Sequence, residues 1–202
     1  MPRRGRARST TDIYHVMLRG INQQNIFEDD EDCHKMIQIL IDVKEKSKFE
    51  LYSYCLMGNH CHLLLKTLDE DIALIFKRIC VRYVYWYNLK YKRIGHLFQD
   101  RFRSEVVEND RNFLSVLNYI HQNPVKAGMC VLLSDYKWSS YNEYMVKPRV
   151  IDTEFVFSLI NKKELEKFHN IENTENVDKL MEYKAPIYRL SDAESKELIK
   201  KI

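Results

Sequence analysis

The sequence predicts an α+β fold of ferredoxin-like type: a βαββαβ antiparallel sheet, an additional helix after it, and a C-terminal helical extension. Three observations predict this. At 202 residues, with 45% hydrophobic and 30% charged side chains, the chain is long enough for one buried core and too short for two full domains. Only five glycines and four prolines are present, so regular elements should dominate over loops. Segments of period two and of period 3.6 also follow one another in the order that such a sheet requires.

Residues 12–19 alternate, with Tyr14, Val16 and Leu18 on one side and Ile13, His15 and Met17 on the other, which is the period of a strand. The acids Glu28 to Asp32 precede apolar Cys33, Met36, Ile37, Leu40 and Ile41 at helical spacing, so negative charge sits at the positive end of a helix running to about Ser47. Residues 51–57 and 60–66 flank Gly58-Asn59, a two-residue turn signal, and read as a hairpin. From Asp71 the stripe Ile72, Ile75, Phe76, Ile79, Cys80, Tyr83 and Tyr87 marks a second long helix ending near Gly95. Residues 101–107 alternate again as a fourth strand. Asn109 or Asp110 can then cap a third helix carrying Phe113, Val116, Leu117 and Ile120, which Pro124 is expected to stop. Two helices cover one face of such a sheet, and the other face needs an occupant.

The expected organisation is a basic N-terminal arm over residues 1–11, a folded domain over 12–146, and a charged extension over 147–202. Residues 161–202 carry nine basic and nine acidic side chains, in keeping with amphipathic helices or partly ordered chain. The longest uncharged stretch, residues 51–65, is broken by Gly58, Asn59, His60 and His62, so no membrane span is expected. The N-terminus has arginines with no apolar core behind them, unlike a signal peptide. Five cysteines without a C-x-x-C pair suit reduced thiols, and a cytoplasmic location is expected.

Charge is uneven beneath the net +3. Arg3, Arg4, Arg6 and Arg8 crowd the first eight residues, and residues 77–103 hold eight basic side chains against one acid, Asp100. Tyr83, Tyr85, Trp86, Tyr87, Tyr91, Phe98 and Phe102 are interleaved with them, a mixture that tracks phosphates and stacks bases. A solvated helix face with its aromatics in the core gives the same pattern.

On a strand, His60 and His62 share a face with Leu64 and Lys66, and two imidazoles side by side can chelate one divalent ion if a third ligand completes the shell. Two unrelated histidines near a turn would look the same. On the third helix, Tyr119 and Asn123 lie one turn and about 40° apart, so a phenol and an amide oxygen approach one point. His121 lies about 160° from Tyr119 and belongs to packing or surface. His15 lines the same region if the first strand neighbours the third.

Four blocks carry a family resemblance: Leu56-Met57-Gly58-Asn59-His60-Cys61-His62-Leu63-Leu64-Leu65; Gly95-His96-Leu97-Phe98-Gln99 with Arg101; Tyr119-Ile120-His121-Gln122-Asn123-Pro124-Val125-Lys126-Ala127-Gly128; and Tyr136-Lys137-Trp138-Ser139-Ser140-Tyr141. In this order they resemble the REP-associated tyrosine transposases, a branch of the HUH single-tyrosine transposases, over roughly residues 12–146. Gly58 stands where that family commonly has proline, and Thr10-Thr11 near its usual Pro-Gly. The resemblance implies His60, His62 and Asn123 as metal ligands, Mg²⁺ or Mn²⁺ as the ion, and Tyr119 as nucleophile. It also implies single-stranded or hairpin DNA as substrate, a 5′-phosphotyrosine intermediate, and a monomer rather than a homodimer. Arg3, Arg4, Arg6, Arg8, Arg78, Arg82, Arg101 and Arg103 are the candidate DNA contacts. A non-cleaving hairpin-binding protein or repressor on the same fold is the competing expectation. A phosphoesterase with two histidine motifs would need a second His-x-Ser/Thr element, which the chain lacks.

Overall fold

The computed structural model describes residues 8–170, so Arg3, Arg4, Arg6 and the last 32 residues of the expected extension lie outside the described residues. Four strands, β1 (Ile13–Arg19), β2 (Phe49–Met57), β3 (His60–Thr67) and β4 (Arg103–Val106), form one antiparallel sheet in the order β2-β3-β1-β4. Helices α1 (Asp30–Ser47) and α2 (Ile72–Lys90) interrupt them in the βαββαβ order, and α3 (Asp110–Lys126) follows. This is the ferredoxin-like arrangement expected from the alternation of periods.

Strand alternation divides the sheet into two layers of packing. Tyr14, Val16, Leu18, Cys61, Leu63 and Leu65 are all buried on the side that α1 and α2 cover. Register pairs Val16 with Leu63 and Leu18 with Cys61, so these side chains pack against one another across the strands. On the opposite side α3 packs over β2 and β3 and is the occupant that face required. Its Phe113, Val116, Leu117 and Ile120 are buried.

The acidic run caps α1 as charge pattern dictates. Asp29 accepts from the Asp32 amide and Asp32 reciprocates, a capping box. Lys90, at the end of α2, bridges Asp29, Glu31 and Asp32 with N–O distances of 2.8–2.9 Å. The two helices are thus tied end to start, and α2 stops there, short of Gly95. Lys92 and Gly95 adopt positive φ in the loop that follows.

Pro124 does not end α3. The helix runs two residues further, to Lys126, with Pro124 inside it and buried. Proline removes only one amide donor, and so close to the end the turn is rescued by Ala127 N–H donating to Asn123 O and Met129 N–H donating to Pro124 O. Gly128, at φ 68°, then turns the chain in a region that favours glycine.

The outer edge of β2 is covered by later chain. Leu56 N–H donates to Trp138 O, Ser140 N–H to Tyr54 O, and Asp152 N–H to Leu51 O, each within 2.9 Å. Helices α4 (Tyr141–Met145), α5 (Glu154–Leu159) and α6 (Lys162–Asn170) follow, and α6 packs on α3. The extension expected from residue 147 therefore begins with packed chain, since Val150, Ile151, Val156 and Leu165 are buried.

Candidate active site

The β2–β3 turn presents the first candidate residues, and the loop after β1 braces it. Gly20 N–H donates to Asn59 O, and both Ile26 and Phe27 N–H donate to Gly58 O. Gly20 is required by close approach, because a β-carbon there would stand 2.1 Å from the Gln24 carbonyl oxygen. The turn is consequently held on backbone bonds, and His60 and His62 issue from a fixed strand start.

His60 and His62 share the α3 face, their ring centroids 5.1 Å apart and nearly perpendicular. Tyr119 descends from α3 with its ring edge-on to His62 at 5.6 Å and to His15 at 6.0 Å. The phenol is half-buried, with two imidazole rings among its neighbours. Two imidazoles and a phenol, 57 residues apart in sequence between His62 and Tyr119, thus converge on one patch. Asn123 sits one turn beyond, half-buried, and its Nδ2 donates to Tyr119 O at 2.9 Å, which leaves its amide oxygen as the open acceptor. Lys126 reaches back over the Tyr119 ring, its ammonium 5.8 Å from the centroid.

Burial governs the imidazoles. The desolvated pocket pushes His60 down to about 4, with the nearby Arg19 charge adding to the shift. Burial also holds His62 well below the ordinary histidine value, with His15 and His60 as further causes. Both rings are therefore uncharged at neutral pH and can offer lone pairs. Nδ1 of His60 donates to Asn59 Oδ1 at 2.6 Å, so its Nε2 carries the lone pair. His62 shares a 2.9 Å hydrogen bond through Nδ1 with His15 Nε2, and its Nε2 makes no hydrogen bond among the described residues. Among those residues no group of three His, Cys, Asp or Glu side chains is arranged to hold an ion. A third protein ligand would have to be of another type, and the candidate on α3 is the Asn123 amide oxygen, which makes no hydrogen bond among the described residues. Two neutral nitrogens and an amide oxygen, with water, fit a divalent cation of intermediate hardness.

The arginines separate into two groups. Arg78 forms a two-pronged pair with Glu70 and donates to Ser47, and Arg82 lies 3.9 Å from Asp42, both on the α1–α2 side of the sheet, away from His62. Arg8 and Arg101 are exposed, and Arg103 is exposed on β4 opposite Met17 in register, on the histidine face. The aromatics of the basic stretch are largely structural. Tyr83, Tyr87 and Phe102 are buried, whereas Tyr85 is exposed.

Sequence patterning found His15 only conditionally, and β1 does neighbour β3. It offered nothing for Glu105, which β-sheet register sets directly opposite His15, with its Oε2 3.5 Å from His15 Nδ1. The His15 contact holds the Glu105 carboxyl below the usual glutamate range. A carboxylate two residues along β4 from Arg103 has no helical or motif signature by which to be singled out.

The fold has known counterparts. A REP-associated tyrosine transposase of Escherichia coli is 26% identical over 105 residues, 51% of this chain and 61% of that protein. A Haemophilus influenzae protein assigned to the same group is 29% identical over 110 residues, 48% of this chain and 62% of its own length. The matched region spans about three-fifths of each curated relative. A solved REP-associated tyrosine transposase bound to a REP hairpin superposes with a TM-score of 0.63 at 18% identity, covering 76% of this chain and 96% of that one, and shares the fold. The family description "Transposase IS200 like" matches residues 9–123, which contain every strand of the sheet, both imidazoles and the phenol, and the chain belongs to that family.

Proposed function

We propose that this protein is a DNA-processing enzyme of transposase type that cuts and rejoins single-stranded or hairpin DNA through Tyr119. The observation that carries the reading is the edge-on approach of the Tyr119 ring to His62, 5.6 Å between centroids, within one chain. Family membership and the shared fold support it.

In this mechanism His60, His62 and Asn123 hold the ion, Mg²⁺ or Mn²⁺. When bound there it polarises the scissile phosphate and offsets charge developing on its oxygens. Tyr119 gives up its phenolic proton and Oη attacks phosphorus. The Oη–P bond forms, the P–O3′ bond breaks, and the departing oxygen becomes a 3′-hydroxyl while the 5′ end remains as a phosphotyrosine. Attack by another DNA 3′-hydroxyl reverses the balance, reforms a phosphodiester and returns the phenol, so rejoining needs no nucleotide cofactor. Lys126, beside the ring, and Arg103, on the same face, stand where phosphate charge would lie. Arg8 and Arg101, both exposed, are further candidate phosphate contacts, as are Arg3, Arg4 and Arg6 on sequence grounds alone, whereas Arg78 and Arg82 serve the helix layer.

Because the rings and the phenol come from the same chain, one copy can complete the site, and a monomer suffices. No helix among the described residues is long and apolar enough to cross a membrane. A cytoplasmic location suits the five free cysteines.

Incubation with hairpin-bearing single-stranded DNA and Mn²⁺, resolved on a denaturing gel, tests the proposal. A protein–DNA adduct that disappears in Tyr119→Phe and with chelator is the expected result. Tight binding of DNA that stays uncut under all conditions would overturn it in favour of the non-cleaving hairpin binder.

A further inference from the structure

We infer that Glu105 and His15 are positioning residues: they fix the tautomer of His62 so that its Nε2 lone pair faces Tyr119 and the ion-binding position. The inference rests on the reading of His62 as a ligand, and it assigns work to two side chains outside the motif blocks. It concerns where a proton sits on a neutral ring and involves no change of charge.

His15 pairs across the sheet with Glu105 on one side and Leu64 on the other, and alternation places His62 diagonally from it on the same face. The two imidazoles stack with a 9° interplanar angle and centroids 5.1 Å apart, so their ring edges are coplanar enough to share a proton. A carboxylate is an acceptor only, and Glu105 Oε2 stands 3.5 Å from His15 Nδ1, an orientation that favours the proton on Nδ1. With that proton on Nδ1, His15 Nε2 is assigned as the acceptor of His62 Nδ1–H across their 2.9 Å contact. With Nδ1 protonated, the lone pair of His62 is confined to Nε2. The same outcome is reached at His60 by different means, Nδ1–H donating to Asn59.

Burial is what makes this arrangement matter. His15 and His62 are 6% and 3% exposed, so water cannot substitute for a missing acceptor. Without the carboxylate, His15 could equally carry its proton on Nε2, which would force His62 to accept through Nδ1 and put its own proton on Nε2, facing the site. That tautomer cannot bind a cation. Outer partners of ligating histidines of this kind are worth about 10–100-fold in metal affinity.

Two readouts on the full chain test this: the imidazole ¹⁵N–¹H correlation spectrum of the metal-free protein, and Mn²⁺ affinity by titration. The wild type is expected to show His62 protonated at Nδ1. Glu105→Ala, at a half-exposed strand position, and His15→Phe should redistribute the His62 proton and weaken Mn²⁺ binding by about 10–100-fold. His15→Gln, whose amide oxygen can still accept from His62 Nδ1–H, should restore both. A wild-type His62 protonated at Nε2, or a tautomer unmoved in both Glu105→Ala and His15→Phe, would overturn the inference. Failure of the wild type to bind Mn²⁺ would instead overturn the proposed ligand role of His62, and the metal-free spectrum distinguishes the two failures.

Discussion

Two buried histidine pairs stand on the same side of the sheet and end differently. His15 and His62 share a hydrogen bond between β1 and β3, with a Glu105 oxygen 3.5 Å from the far side of His15, and His62 Nε2 makes no hydrogen bond among the described residues. His121 and His169 join α3 to α6 across 2.7 Å, and every end of that chain is closed. His169 Nδ1–H donates to Leu165 O at 2.7 Å, and the other end of His121 meets Ser140 Oγ at 2.8 Å and Ser53 Oγ at 3.1 Å. His121 is two residues from both Tyr119 and Asn123, yet it points into the fold. The difference teaches that burial of a histidine does not distinguish structure from chemistry. A hydrogen-bond path left unclosed next to the Tyr119 ring does.

Removing a ring from each pair separates the two roles most strongly. His62→Ala should reduce DNA cleavage by roughly a thousandfold or more, because several kcal/mol of charge stabilisation is lost with the ligand, while hairpin binding measured by fluorescence anisotropy persists. Comparable cleavage by His62→Ala and wild type would erase the distinction.

Acid should act on the closed pair through stability. Burial pushes His169 down to about 4 and holds His121 well below the ordinary value, so the unfolded chain binds these protons at higher pH than the folded one. Stability from His169 is complete above about pH 6.5 and is lost as pH falls towards 4, by about 3 kcal/mol. Urea denaturation at pH 7.5 and 4.5 reads this loss, and a His121→Leu/His169→Leu variant should show less of it. Smaller again, His121→Leu alone should cost about 2 kcal/mol and lower the melting temperature by roughly 6 °C, since it orphans His169 Nε2. Ser140→Ala should cost about 1 kcal/mol, because Ser53 still reaches His121. Cleavage per folded molecule should be unchanged in neither His62→Ala nor Tyr119→Phe.

Much of the fold was legible because alternation and helical spacing do not depend on partners. Val16 and Leu18 announced a strand, and Ile72 to Tyr87 a helix, before any packing was known. The site was legible where its residues sit on those periods: His60 and His62 two apart on a strand, Tyr119 and Asn123 a turn apart on a helix. What escaped depends on register and on distant partners. Glu105 faces His15 only because β4 pairs with β1. Arg78 was a candidate DNA contact, and its carboxylate comes from Glu70; the carboxylates around Lys90 come from the start of α1. Pro124 signalled a helix end, and capping bonds from Ala127 and Met129 carried the helix past it. The docking of α6 rests on His169, in a charged stretch whose composition gives no hint that one imidazole is buried.

The account turns on which atom attacks phosphorus, and peptide mapping of the DNA adduct measures that directly. Trypsin releases residues 112–126 as one peptide in which Tyr119 is the sole tyrosine. After reaction with hairpin DNA and Mn²⁺ and nuclease trimming, this peptide is expected to carry the phosphodeoxynucleotide mass, with fragmentation placing it on Tyr119. A nucleotide attached to any other residue, with Tyr119 unmodified, would contradict the account.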